Sequence, residues 1–262
     1  MCRLLSICGK IKNNTAESIL QKFQNLAEYG NVARGVKKGH KDGWGIVVYK
    51  NSKPAIIAKN CRSAFEDSEY LKVVKRLQEI KPEIIVAHLR KASVGARSVI
   101  NTQPFMSGRY SFCQNGTIFN SREISLGKRF KLLSKGETDS EKLFLYILQS
   151  LARYKRRDLL SVREAIGEAI NYIRKNFDFT ALNMIFSDGK YLWALREVNK
   201  KNGRVRKMRM TDYYSLFVGI NKNYRLVASE KINIKGIEWK EIKNHELIEA
   251  SPTNCEVGKF TV

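Results

Sequence analysis

The sequence predicts a layered α+β fold with mainly antiparallel sheets. Short apolar strands fall in turn-linked pairs, early and late in the chain. The strongest helices are grouped between those pairs instead of alternating with single strands, which argues against a doubly wound parallel sheet. No low-complexity linker, internal repeat or composition shift divides the 262 residues, so 1–262 reads as one domain.

The elements follow in order. Residues 2–8 form a short buried strand. Thr15–Glu28 has Ile19, Leu20, Phe23 and Leu26 on one side, the spacing of an amphipathic helix. Gly45–Tyr49 and Ala55–Ala58 are a strand pair around the Asn51–Pro54 turn. Ser68–Ile80 is helical, with Leu71, Val74 and Leu77 three apart. Pro82 then separates it from the apolar strand Ile84–His88. Thr138-Asp139-Ser140-Glu141 is a capping box ahead of Leu143, Phe144, Ile147, Leu148 and Leu151. Ser161–Glu164 reads as a second box, ahead of Ile166, Ile170 and Ile173. Leu182–Ser187 and Tyr191–Arg196 flank an Asp-Gly-Lys turn. Strands at Ser215–Val218, Arg225–Ser229, Glu238–Ile242 and near Val257–Val262 complete the set.

Composition narrows the function classes. A chain 43% hydrophobic has a substantial core to bury and needs no disulfide staples. No apolar run is long enough to span a bilayer, and Leu4–Cys8 is too short for a signal peptide. Five cysteines without a CxxC pair and three scattered histidines make no zinc cluster, and no metal or cofactor is expected. An odd cysteine count without an export signal fits reduced thiols in the cytoplasm, with Cys8, Cys61, Cys113 and Cys255 as small hydrophobes. The net charge of +23 raises nucleic-acid binding, yet the cations are spread and the basic runs at 128–131, 155–157 and 199–209 carry few aromatics for stacking. A solvated, charge-rich surface explains them better, and neither nucleic acid nor membrane is expected as a partner.

Several short stretches carry chemistry. Cys2 follows the initiator Met1, so removal of Met1 would place a free α-amine beside a thiol, a nucleophile and a base in one residue. His40-Lys41-Asp42-Gly43-Trp44-Gly45 runs into a strand, and Ala87-His88-Leu89-Arg90-Lys91-Ala92-Ser93 sits where one emerges. Asn101-Thr102-Gln103-Pro104-Phe105 is stiff and extended. Phe112–Asn115 ends a strand in an Asn115-Gly116 turn. Each alone is weak: an Asn-Gly is usually a plain turn, and a histidine at a strand end is usually structural.

Together, in this order and with cysteine at position 2, these stretches resemble the class-II glutamine amidotransferases, a group of N-terminal nucleophile hydrolases. Met-Cys-Arg-Leu-Leu, His-x-Asp-Gly-Trp-Gly and Thr-Asp-Ser-Glu look like the short YafJ-like branch, with the glutathione-degrading amidotransferase subunit and the ergothioneine-pathway γ-glutamyl hydrolase. The resemblance implies a four-layer αββα sandwich. It implies Cys2 as nucleophile, Asn115 and Gly116 as oxyanion donors, Arg90 for the substrate α-carboxylate and Asp139 for the α-ammonium, with Trp44 and Gly45 lining the pocket. Gln114 and Gln103 stand where relatives commonly have histidine. The implied substrate is glutamine or a γ-glutamyl small molecule, cleaved through a γ-glutamyl thioester. Two options stay open for the ammonia: a separate synthetase subunit receives it, or the protein hydrolyses a γ-glutamyl amide outright, which is in keeping with this branch; the oligomeric state, a homodimer included, is open as well. The alternative is a catalytically idle relative that binds RNA or a protein through its basic face.

Overall fold

The computed structural model describes the chain except residues 1, 34, 157, 208, 209, 211 and 254–257. The first strands are β1 (Arg3–Gly9), β2 (Gly43–Lys50), β3 (Lys53–Asn60), β4 (Ile84–Arg90), β5 (Phe105–Ser107) and β6 (Tyr110–Asn115). The later ones are β7 (Asn183–Ser187), β8 (Leu192–Arg196), β9 (Phe217–Ile220), β10 (Tyr224–Ala228), β11 (Glu238–Glu241), β12 (Glu246–Ala250) and β13 (Gly258–Thr261). The helices are α1 (Asn13–Tyr29), α2 (Ser68–Lys75), α3 (Lys128–Lys131), α4 (Asp139–Leu151), α5 (Leu159–Asn176) and α6 (Gly203–Lys207).

Seven strands form one sheet in the order β11-β9-β10-β1-β4-β2-β3, and six form another in the order β13-β12-β8-β7-β6-β5. Every described pairing is antiparallel. Alternation sorts the side chains into three cores. Leu5 and Ile7 of β1 join Trp44, Ile46, Ile85 and Ala87 under α1 and α2. Leu4 and Cys8, one residue out of phase, join Val47, Val86, Cys113 and Ile185 between the sheets. Phe112, Met184, Phe186 and Trp193 pack outward against α4 and α5. The layers are therefore helix, sheet, sheet, helix, the αββα sandwich that the resemblance implies.

Helix starts were partly misplaced by sequence reasoning. Thr138 does cap α4, accepting from the Glu141 amide at 3.2 Å. Glu141 does not reach back to close the box; its carboxylate takes the amides of Lys135 and Gly136 and the Ser134 hydroxyl. The second box is overturned. α5 starts at Leu159 because Asp158 accepts from the Ser161 amide at 3.0 Å, which leaves Ser161 inside the first turn. In α2, Tyr70, Val73 and Val74 are buried, whereas Leu71 is exposed. The helical segment there shortens to α2 followed by a 3₁₀ turn at Arg76–Glu79.

Cys8 and Cys113 are buried as expected of small hydrophobes; Cys61, in the turn after β3, is half-exposed instead. Cys255 and Val257 lie outside the described residues. No described helix is long and apolar enough to cross a membrane.

Candidate active site

The site follows from the same alternation. Residues two apart share a face, so Cys2 lies in phase with Leu4, Arg90 with Val86, Gly45 with Val47, and Asn115 with Cys113, all toward the space between the sheets. β1, β4 and β2 are neighbours, with Leu4 opposite His88 and His88 opposite Gly45. The β6 end faces them from the other sheet. The Cys2 backbone nitrogen donates to Asn115 Oδ1 at 3.2 Å, and the thiol donates to the Lys91 carbonyl at 3.7 Å. Asn115 Nδ2 is buried and has no partner among the described residues. An unspent buried donor costs free energy unless something comes to accept from it. Gly116 follows with φ +146°, and a β-carbon there would sit 1.8 Å from the Ala181 carbonyl oxygen, so only glycine lets the chain turn at this point.

Arg90 is buried, and its guanidinium donates to the carbonyls of Ala96 (2.9 Å), Val94 (3.1 Å) and Gly95 (3.1 Å). It therefore shapes the loop that leaves β4. Asp42 grips the same loop through the Ala92 amide at 2.8 Å. Asn101 ties it to the start of α4, donating to the Ala96 carbonyl and accepting from the Glu137 amide at 2.9 Å. Asp139, in the first turn of α4, is buried and accepts from the Ile118 amide at 2.7 Å.

The charges act on one another. Burial pushes the Cys2 thiol up; the Arg90 cation pulls it back and the Asp139 carboxylate adds to the rise, so both groups lie within electrostatic reach of the sulfur. Burial also raises Asp139 to about 6, against the pull of its amide donors. His40 and His88 are both buried with no ring partner among the described residues. Burial and then Arg3 hold His40 down at about 2, and burial and then Arg90 hold His88 at about 3, so both are neutral imidazoles at pH 7.

Trp44 does not belong to this group. Its phase turns it to the helix side, where Nε1 donates to Asp67 at 2.9 Å and its ring meets Tyr70 edge-on. Gly45 does face inward: a β-carbon there would meet the Gln103 carbonyl oxygen at 2.3 Å. Gln103 Oε1 in turn accepts from the Gln114 amide at 2.6 Å, beside Asn115. Gln114 points away from the sulfur, toward the Ala181 carbonyl at 3.0 Å and the Ser140 hydroxyl. Both glutamines thus hold the β6 end in place. Met1 lies outside the described residues.

A cavity of about 650 Å³ adjoins the site through Lys91, whose carbonyl takes the Cys2 thiol, and through Thr117 and Ile118, which follow Gly116; Ser93, Val32, Tyr213 and Arg204 also line it. Sequence reasoning singled out the stretches that hold Ser93 and Arg3 but gave neither residue a role; the Ser93 hydroxyl accepts from that of Thr117 at 3.2 Å. Arg3, fully buried, pairs with Glu230 at 3.0 Å, stacks on Tyr213 and donates to the Asn31 carbonyl, holding the Tyr213 part of the cavity wall against β1. An arginine within an apolar strand was the available signal. Among the described residues, no group of three or more His, Cys, Asp or Glu is placed to hold a metal ion.

Comparison with known proteins adds to the geometry. The family model for class-II glutamine amidotransferases matches residues 1–212. YafJ of Escherichia coli, which carries a provisional glutamine amidotransferase name, is 32% identical over 211 residues, 76% of this chain and 74% of that one. The uncharacterized protein MJ1515 of Methanocaldococcus jannaschii is 28% identical over 265 residues, 95% of this chain and 68% of that one. A class-II glutamine aminotransferase domain protein from Silicibacter pomeroyi superposes with a TM-score of 0.61 at 18% identity, covering 99% of each chain. The glutamine phosphoribosylpyrophosphate amidotransferase of Bacillus subtilis superposes at 0.66 with 15% identity; the chain spans 49% of that longer protein.

Proposed function

This chain belongs to the class-II glutamine amidotransferases, and we propose that in it Cys2, freed of Met1, hydrolyses the side-chain amide of glutamine or of a γ-glutamyl compound. The whole chain, 1–262, acts as one amidotransferase domain in this reading. Cys2 Sγ attacks the amide carbon while its own α-amine takes the thiol proton, directly or through a water. The carbonyl oxygen becomes an oxyanion, received by Asn115 Nδ2 and the Gly116 N–H. The amine returns the proton to the leaving nitrogen, the C–N bond breaks, and a γ-glutamyl thioester stays on Cys2. Water then attacks the thioester and releases glutamate.

The observation that carries this reading is the state of Asn115. Its oxygen accepts from the Cys2 nitrogen, and its buried amide nitrogen, on the same side-chain amide, is without a partner among the described residues. Such a side chain is oriented by the residue it serves and keeps its donor for a charge that develops later. Asp139 meets the substrate ammonium, and Arg90 meets the α-carboxylate with the donors its loop leaves over. The 650 Å³ cavity that adjoins Cys2 at Lys91 leaves room for an amide larger than that of glutamine itself. The ammonia or amine either leaves to solvent or passes to a separate synthetase subunit.

The test is ammonia or amine release from glutamine and a panel of γ-glutamyl amides, together with the intact mass of the active protein. Loss of Met1, activity abolished in Cys2→Ala, and covalent labelling of Cys2 by a glutamine-like electrophile are the expected results. Full activity in Cys2→Ala, or in protein that keeps Met1, would remove the mechanism.

A further inference from the structure

A second cavity is larger than the one beside Cys2. It holds about 860 Å³ and lies where β1 ends, lined by Gly9 and Lys10. Cys2 precedes the first residue of β1, so the strand itself, about 23 Å for seven residues, separates the two sites. Five lysines line this second cavity: Lys10, Lys12, Lys50, Lys81 and Lys190. They come from four separate segments of the chain, Lys10 and Lys12 sharing one, and the fold brings them together at one end of the sandwich.

Their charge is scarcely compensated. Glu83 is the one carboxylate in the lining among the described residues, and it is spent on Lys50 at 2.9 Å and on the Asn51 amide at 2.9 Å. The other four lysines are in no ion pair among the described residues; Lys190 only overhangs the ring of Tyr191, at 5.2 Å from its centre. Like charges gathered around a concavity repel one another, and the field they focus there attracts an anion. Other lysines of this chain, such as Lys41 and Lys72, have carboxylates beside them. The walls also carry neutral hydroxyls, from Ser52 and Thr253, and the half-buried face of Tyr191.

We infer that this cavity binds a small polyphosphorylated molecule, through Lys10, Lys12, Lys81 and Lys190. Lysine acts as a mobile point charge for phosphate, several of them suit several phosphates, and the volume is that of a small-molecule site. Tyr191 offers a flat apolar wall for whatever the phosphates are attached to. Nothing in the proposed chemistry at Cys2 uses this end of the molecule.

Binding of sodium tripolyphosphate and of ATP to the full chain, measured by calorimetry at low and at moderate salt, tests the inference. Cys2→Ala protein serves equally, so the outcome is independent of the amidase reading. Both probes should bind, more weakly as salt rises. Lys12→Gln/Lys190→Gln should weaken both at least about tenfold. Lys10→Gln/Lys81→Gln, which shares no residue with the first pair and leaves the Lys190 turn intact, should do the same and guards against a local folding defect in the first pair. Lys128→Gln/Lys175→Gln, exposed and outside the cavity, should leave affinity unchanged. Tighter binding of ATP than of tripolyphosphate would place the attached group against Tyr191, and equal binding would assign recognition to the phosphates alone; both support the site. Binding of neither probe, undiminished binding in both cavity pairs, or an equal loss in the control pair would overturn it.

Discussion

At Asn115, one amide side chain faces two demands, and their difference is measurable. Its oxygen positions the Cys2 nitrogen, and its free nitrogen is the proposed oxyanion donor. Asn115→Ala should therefore lower kcat by about 10²–10³, with a smaller change in KM, because the donor is needed only once charge develops. An unchanged kcat would remove Asn115 from the chemistry. Asp139 has a different signature. Burial holds its carboxyl at about 6, so the folded chain binds this proton more tightly than the unfolded chain does. Its contribution to stability is then present in acid and is lost as pH rises from about 4 through 6, by ~3 kcal/mol at most. Asp139→Asn keeps an acceptor for the Ile118 amide and loses the charge. The variant should melt above the parent at pH 7 and converge with it below about pH 4, while KM for glutamine rises. A variant that melts below the parent at pH 7 would contradict the burial argument.

The elements show how local rules compete. Ser161 and Asp158 both have cap chemistry, three residues apart, and the structure starts α5 at the earlier one. Asp158 prevails because its carboxylate takes both the amide and the hydroxyl of Ser161, at 3.0 and 2.7 Å. Asp158→Ala should lower the melting temperature more than Ser161→Ala; the reverse order would restore the later start. For α4, Thr138→Ala should cost about 1 kcal/mol in urea unfolding, the usual worth of a lost cap. Among the strands, β12 was not legible in the sequence. Glu249 falls at a buried position of it, where a carboxylate argues against a strand, and it is tolerated because Trp193 Nε1, on the paired residue of β8, donates to it at 3.1 Å. A partner 56 residues away leaves no local mark.

Taken as a whole, the molecule carries a net charge of +23, and its surface repels itself. Raising NaCl from about 20 to about 200 mM should raise the melting temperature, since screening acts on exposed charges within a Debye length of one another. A fall would mean that ion pairs, such as Arg3 with Glu230, outweigh the repulsion. By itself the sequence determined that β1, β2 and β4 are buried strands, since their runs are apolar on both sides; which side meets the helices it left open. It also determined the excess of positive charge and the segments that resemble an amidotransferase. Tertiary structure alone decided that Cys2 meets Asn115, 113 residues away, because that contact depends on how two sheets stack. It sent Trp44 to the helix side with Asp67, gave Arg90 a loop to hold, and raised the Asp139 carboxyl. The physical reason is one of range: periodicity and capping act over a few residues, whereas desolvation and hydrogen-bond supply depend on which distant segments cover a side chain.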